Sequence, residues 1–304
     1  MELPVLVVGE ALIDIVIPLA GESIEHVGGS PANVAIGLAR LGHRTTLATH
    51  IGSDSRGSRI AGLMAAEAVE LAPGSTAANR TPTAAARLDA AGAASYEFAI
   101  DWQLDPHLAV DAGHLHTGSI AGTLPPGSDA VLALARRMHA QATVSYDPNV
   151  RPTLMGSPDQ TRGTIEALVA ASDVVKCSDE DAEWLYPGTP LEVVLRSWAR
   201  RGPRLGVVTR GSRGAVVLVA GELHEVPAPA ASVVDTVGAG DSFMSGLLSG
   251  LLDAGLLGGL EARDRLAAAG WDDVAPAVER ALACAAITVS RAGANPPTRA
   301  ELPA

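Results

Sequence analysis

Between Asp235 and Phe243 the chain reads Asp-Thr-Val-Gly-Ala-Gly-Asp-Ser-Phe, and Gly238, Ala239 and Gly240 stand just before a helix-compatible run from Phe243 to Leu248. Small residues let a backbone pass close to a ligand. A helix starting there turns its free N–H groups and the positive end of its dipole onto one spot. That spot suits a phosphate or a developing anion. Asp241 falls in the same first turn, and a carboxylate beside an anion cradle suits phosphoryl transfer, where one group accepts a hydroxyl proton and fixed dipoles stabilise the moving group. Taken alone, a Gly-x-Gly-Asp string also reads as a capped helix after a tight turn. A dinucleotide fingerprint fits less well, because Asp241-Ser242-Phe243 replaces the end of Gly-x-Gly-x-x-Gly and lies far from the N-terminus. No Gly-x4-Gly-Lys-Ser/Thr string occurs, which excludes a P-loop kinase.

The elements that must position these groups follow from the apolar pattern. Val-rich runs at Val5–Val8, Thr45–His50, His114–Thr117, Thr143–Asp147, Asp173–Lys176 and Leu205–Thr209 alternate with helical stretches such as Ser58–Val69, Ala130–Ala140 and Thr161–Ala171. The alternation predicts βαβ units, hence an α/β fold with a mostly parallel sheet covered by helices on both faces. Leu12–Leu19 alternates around Asp14, and Thr81–Leu88 with Ala93–Ile100 reads as a hairpin around Ala91-Gly92. Strands without intervening helices predict a small separate sheet, a lid formed by about 12–27 and 81–101 over a single domain spanning 1–304.

Ligands of open α/β sheets sit beyond the carboxyl ends of the strands, which gives several strand-end residues a reading. Asp14, in Gly9-Glu10-Ala11-Leu12-Ile13-Asp14, is placed to accept hydrogen bonds from hydroxyls, or is a solvated strand-end carboxylate. Ser30 is a good N-cap, Pro31 a good first-turn residue and Gly42 a good stop, so a helix runs between them, with Gly28-Gly29 as a hinge before it. Asn33 then points an amide toward the sheet end. Asp147, Asn149 and Arg151 alternate along another strand end and can face one pocket. Arg151 is either a bidentate fork for phosphate oxygens or half of a structural ion pair. Ser178 and the acids after it also make an ordinary helix start. In the lid, Tyr96, Phe98 and Trp102 line a pocket, pack the hairpin or sit in a dimer interface; packing is the default, and Phe98 is the candidate for a substrate contact.

Composition narrows the partners. The 304 residues carry a net charge of −12, which argues against nucleic acid and anionic membrane. The most apolar stretch, Phe243 to Leu260, is interrupted by Asp253 and rich in Gly and Ser, so no membrane span is expected. Cys177 and Cys284 form no Cys-x-x-Cys and read as free buried thiols of a reducing compartment, and the N-terminus lacks the basic start of a signal peptide, so a cytoplasmic protein is expected. Lys176 is the only lysine, so arginines and backbone N–H groups must supply most of the positive charge to any nucleotide.

The string from Asp235 to Gly246 resembles a signature of the ribokinase-like carbohydrate kinase family, and Gly28-Gly29-Ser30-Pro31-Ala32-Asn33 through Gly42 to Gly52 resembles the family's other signature. The resemblance covers essentially the whole chain, and Gly-Glu-Ala-Leu-Ile-Asp looks like the N-terminal strand end of bacterial fructokinases in particular. It implies a ribokinase-like fold and an ATP-dependent kinase acting on a primary hydroxyl, with Asp241 as base and Gly238, Ala239 and Gly240 as anion hole. Residues matching Asp14, Gly28, Gly29 and Asn33 bind the sugar and hinge the lid. Asp-Pro-Asn-x-Arg is similar to the string of fructokinases and 2-keto-3-deoxygluconate kinases, which gives Asn149 and Arg151 to the nucleotide phosphates, with Lys176 and Ser178 beside them. Thr209, Gly211 and Gly214 look like the adenine-nucleotide loop, with Arg210 where leucine is more common. Asp181, with Glu180, stands where a family glutamate organises Mg²⁺ through water. Ile287–Pro297 resembles the segment that borders adenine, assigned to Asn295. It also completes a monovalent-cation (K⁺) site with Asp235, Val237, Thr288, Arg291 and Gly293. Fructose is the preferred substrate; the alternative is 2-keto-3-deoxygluconate, for whose carboxylate Arg87 on the lid supplies a cation. From another class, a non-catalytic sugar-binding regulator would have no use for Asp241 beside an intact cradle. A half-open lid sheet leaves edges to cover, which predicts a homodimer pairing lids.

Overall fold

Val5, Leu6, Val7 and Val8 form the first strand, β1, and all four are buried. Their alternation sorts two cores, because Val5 and Val7 join one apolar cluster and Leu6 and Val8 the other. A strand buried on both faces reads as a continuous apolar run, and that is how the parallel sheet shows itself in the sequence. The computed structural model describes residues 4–18, 21–88 and 94–303. Residues 19–20 of the expected lid and the Ala91-Gly92 turn lie outside the described residues.

The strands are β1 (Val5–Val8), β2 (Leu12–Ile17), β3 (Ile24–Gly28), β4 (Thr45–Ala48), β5 (Val69–Leu71), β6 (Thr83–Leu88), β7 (Ala94–Ala99), β8 (His114–Gly118), β9 (Thr143–Asp147), β10 (Val174–Ser178), β11 (Leu205–Thr209), β12 (Ala215–Val219) and β13 (Glu222–Val226). The helices are α1 (Ser30–Arg40), α2 (Ser55–Ala66), α3 (Gly127–His139), α4 (Pro152–Met155), α5 (Pro158–Ala170), α6 (Asp179–Leu185), α7 (Leu191–Ala199), α8 (Ala239–Asp253), α9 (Leu260–Ala268) and α10 (Trp271–Val289). The large sheet runs β13-β12-β11-β10-β9-β8-β1-β4-β5 and is parallel except for β12 and β13 at one edge. Residues of α1, α2, α8, α9 and α10 pack on one face, and those of α3, α5, α6 and α7 on the other. This is the doubly covered sheet expected from the β/α alternation.

The second sheet runs β3-β2-β6-β7, with β2 antiparallel to β3 and parallel to β6. Its two faces differ. Ile13 and Ile15 pack against the main core, whereas Asp14 opposes His26 on one side and Ala84 on the other, with Phe98 beyond Ala84 in the same row. Trp102 is no part of this sheet: it is 2% exposed in the main body, where its indole N–H donates to Ala121 O at 3.1 Å.

Helix α1 departs from the expected cap. Gly29, at φ 108°, takes the cap position, and Ser30 makes no capping bond. A Cβ at Gly29 would lie 2.5 Å from Glu10 O, so the close approach of the Glu10-Ala11 backbone, after β1, demands glycine there. The freed Ser30 hydroxyl is used elsewhere, as described next.

Candidate active site

Helix α8 begins at the carboxyl end of the large sheet, and its start is held from behind. Gly238 has φ 75°, and a Cβ on it would lie 2.5 Å from that of Ala294. Asp235 accepts the Val237 N–H at 3.0 Å and the Gly293 N–H at 2.8 Å, stapling this turn to the loop after α10. Thr288, fully buried, donates to Ser242 Oγ at 2.7 Å, and Ser242 donates to Cys284 O at 3.0 Å. Along the same line Gly246 and Gly250 let α8 lie against Ala281 and Ala277 of α10. Of the three expected cradle donors, Ala239 N–H is already committed to Thr236 O at 3.3 Å.

Asp241, 7% exposed, is gripped by α1. Ser30 Oγ donates to Oδ1 at 2.6 Å and Asn33 Nδ2 donates to Oδ2 at 2.8 Å. Asn33 therefore orients the carboxylate as well as standing at the sheet end. Beyond it, Gly28 carries no side chain where Asp14 Oδ2 packs against it. Burial pushes the Asp14 carboxyl above its ordinary value, against the pull of His26 and then of Arg151.

On the other side of Asp241 lies a cavity of ≈390 Å³ whose lining includes Asn149, Arg151, Lys176, Ser178, Glu180, Asp181, Thr209, Gly211 and Gly240. Sites of this size hold cofactor-scale ligands. Lys176 is 3% exposed and its ammonium lies 2.8 Å from Asp147 Oδ2. A Cβ on Gly240 would stand 3.2 Å from that nitrogen, which sets the only lysine at the mouth of the α8 cradle. Burial works to lower the pKa of Lys176, but the Asp147 carboxylate first, then Asp181 and Asp241, reverse the balance, so the ammonium stays charged. Arg151 is exposed and bonds to Asn149 Oδ1 at 2.7 Å within its own loop. Trp184 also lines the cavity, unnoticed in the sequence because nothing in its neighbourhood marks a ligand.

Several expected site residues are placed differently. Both Asp181 oxygens are taken, Oδ1 by the Val150 N–H and Oδ2 by the Ser178 N–H, each at 2.8 Å. Asp181 thus ties the Asp147–Arg151 loop to the α6 start, and Glu180 is the exposed carboxylate beside it. Asn295 Oδ1 receives Arg40 Nη1 at 2.6 Å and lies outside the cavity lining. Gly214 closes the turn against Val226 and Ala228 instead of lining the cavity, and Arg210 pairs with Glu225 at 3.0 Å. Arg87 is exposed, 3.9 Å from Glu97, and pairs with Ile17 and Ser95 in a row that faces opposite to Asp14. Arg291 pairs with Glu301 at 2.5 Å, while Val237 and Gly293 meet through Asp235. Among the described residues, no group of three or more His, Cys, Asp and Glu is arranged to hold a metal ion, and no helix is long and apolar enough to cross a membrane.

A helix-start cradle, an adjoining carboxylate and a buried cation beside a strand-end cavity are groups suited to phosphoryl transfer. Residues 4–301 match the pfkB family carbohydrate kinase profile, and the chain belongs to that family. A fructokinase of Klebsiella pneumoniae is 33% identical over 298 residues, covering 95% of this chain and 94% of its own. Among solved structures, the fold is similar to fructokinase from Xylella fastidiosa with bound ATP, at TM-score 0.83 and 26% identity, covering 97% of this chain and 94% of that one. It is also similar to a fructokinase double mutant of Vibrio cholerae O395 bound to fructose, ADP and potassium ion, at TM-score 0.78 and 27% identity over 96% of this chain and 94% of that one.

Proposed function

We propose that this carbohydrate kinase transfers the γ-phosphoryl group of ATP to the primary hydroxyl of fructose, giving fructose 6-phosphate. The observation that carries the reading is the position of Asp241, fixed by Ser30 and Asn33 between the nucleotide-sized cavity and the strand bearing Asp14. Asp241 accepts the hydroxyl proton as the sugar oxygen forms its bond to the γ-phosphorus and the bridging bond to ADP breaks. Its main contribution is orientation. Gly240 and its neighbours offer N–H groups to the phosphoryl group in flight, and Lys176 and Arg151 hold phosphate oxygens. Asp14 and Asn33 receive sugar hydroxyls, with Phe98 in the same row of the second sheet as Asp14.

Mg²⁺ fits a site whose ligands come chiefly from nucleotide phosphates and water, with exposed Glu180 as the available carboxylate; bound there, it neutralises phosphate charge. A potassium ion would be held by the 235–238 and 291–295 loops, which Asp235 staples together through the Val237 and Gly293 N–H groups, and would tune the field of the α8 cradle. The second sheet acts as a lid hinged at Gly28-Gly29, and a homodimer covers its open edges, β3 and β7, near which Ile24 is 55% exposed. Two buried free thiols suit a cytoplasmic location.

Arg87 faces away from Asp14, so the cation that a 2-keto-3-deoxygluconate site calls for is not supplied from that position. ADP release with ATP and Mg²⁺ across fructose, 2-keto-3-deoxygluconate, ribose, glucose, tagatose and adenosine tests the substrate. Fructose is expected to lead by at least about 10-fold in kcat/KM, near 1.4 kcal/mol of transition-state discrimination. Turnover confined to the keto-deoxy acid would overturn it.

A further inference from the structure

Glu10 has no part in the mechanism above, yet it sits at the centre of the sheet's carboxyl edge. It follows β1 directly, is 4% exposed, and lies beside the ends of β8 and β9, the next two strands across the sheet. The Ser119 hydroxyl, just past β8, hydrogen-bonds its carboxyl, whereas Oε2 is buried without any partner. Buried acceptors are costly to leave bare, so such an atom marks a group that waits for a donor.

The charged groups acting on Glu10 come from two elements: Arg151 in the loop after β9 attracts it, and Asp241 in the first turn of α8 repels it. Around this turn Pro31 of α1 packs against Gly9, and Thr49, after β4, accepts the Ala11 N–H at 3.0 Å. Arg151 is thus the donor at hand. Among the described residues its bonds all run through Nη1, to Asn149 Oδ1, Asn149 O and Val150 O at 2.7, 3.2 and 3.1 Å. A guanidinium carries five N–H donors, so most of the fork stays available.

We propose that Glu10 is a positioning residue for Arg151: its second carboxylate oxygen receives an N–H of the guanidinium when nucleotide phosphates draw that side chain into the cleft, and so aims the fork at the phosphates. The proposal rests on the reading of Arg151 as a phosphate ligand. Desolvation pushes the Glu10 carboxyl up to about 7 against the pull of Ser119 and Arg151, and Asp241 adds to the rise. The carboxylate, the stronger acceptor for a guanidinium, therefore gains weight as pH rises through about 7, and the approach of Arg151 itself favours the ionised form.

The test is calorimetric binding of MgATP, without sugar, to wild type, Glu10→Gln, Arg151→Met and the double variant at pH 6 and pH 8. Glu10→Gln is expected to weaken binding about 5-fold at pH 8 and by less at pH 6, and to change nothing further in the Arg151→Met background. Equal losses in both backgrounds, or no loss at pH 8 while Arg151→Met does weaken binding, would overturn the role of Glu10 and leave that of Arg151 standing. Unchanged binding by Arg151→Met would remove the phosphate role of Arg151 and the proposal with it. Glutamine keeps the shape and the Ser119 bond, and thermal melts at both pH values confirm folding.

Discussion

Asp241 has both carboxylate oxygens engaged by α1 before any substrate is present. A base held in this way acts by alignment, so Asp241→Asn should lower kcat by about 10²- to 10⁴-fold while nucleotide binding, measured by calorimetry, stays near wild type. Lys176→Met should behave otherwise. It leaves Asp147 buried without its counter-charge, and loss of one partner of such a pair costs about 3–5 kcal/mol in chemical denaturation, together with weaker nucleotide binding. Glu10 yields a pH prediction. Its folded pKa, about 7, lies above the ordinary carboxylate value, so the folded state holds a proton that the unfolded chain has released. Stability contributed by the neutral group is full at low pH and is lost as pH rises toward 7. Glu10→Gln does not titrate and should gain up to about 3 kcal/mol over wild type at pH 8, with no gain below pH 4.5. Local signals draw attention to Asp241, Lys176 and Arg151 in the sequence: a glycine cradle before a helix for the first, being the sole lysine for the second, and a strand-end pattern for the third. The type of Ser30 suits a cap, but its partner lies across the fold at Asp241. Glu10 and Asp181 were equally opaque, since which backbone or side chain meets a carboxyl is decided by neighbouring strands.

At the scale of elements, α8 carries the cradle and is fixed by close packing on α10. Helix propensity predicts that Gly250→Ala gains about 1 kcal/mol. The packing predicts the opposite sign, because the new Cβ would stand 2.5 Å from the Ala277 Cα and overpacking costs about 1–3 kcal/mol. Urea unfolding decides between them, and a fall in kcat alongside lost stability would show that the cradle moves with the helix. The parallel strands were readable because burial on both faces makes apolar runs, as in Val5–Val8 and Leu205–Thr209. Strand β3 falls within the expected lid, but the pattern does not mark it as a strand, since Ile24 and Val27 are three residues apart in Ile-Glu-His-Val-Gly and the segment is only partly buried. Proximity in sequence to Phe98 suggests a lid position for Trp102, whereas its indole N–H bonds to Ala121 O in the main core.

For the whole molecule, the second sheet leaves the edges of β3 and β7 unpaired among the described residues. Light scattering should give twice the chain's 30.9 kDa if these edges are covered by a second copy, and a monomer would refute that assembly. The central claim is phosphoryl transfer from ATP to one oxygen of fructose, directed by Asp241. Phosphorus NMR of the product formed from fructose, ATP and Mg²⁺ tests it most directly. A single phosphate ester at O6 with wild-type protein, and none on the same timescale with Asp241→Asn, is the predicted result. Phosphate on another oxygen, or equal product from Asp241→Asn, would contradict it.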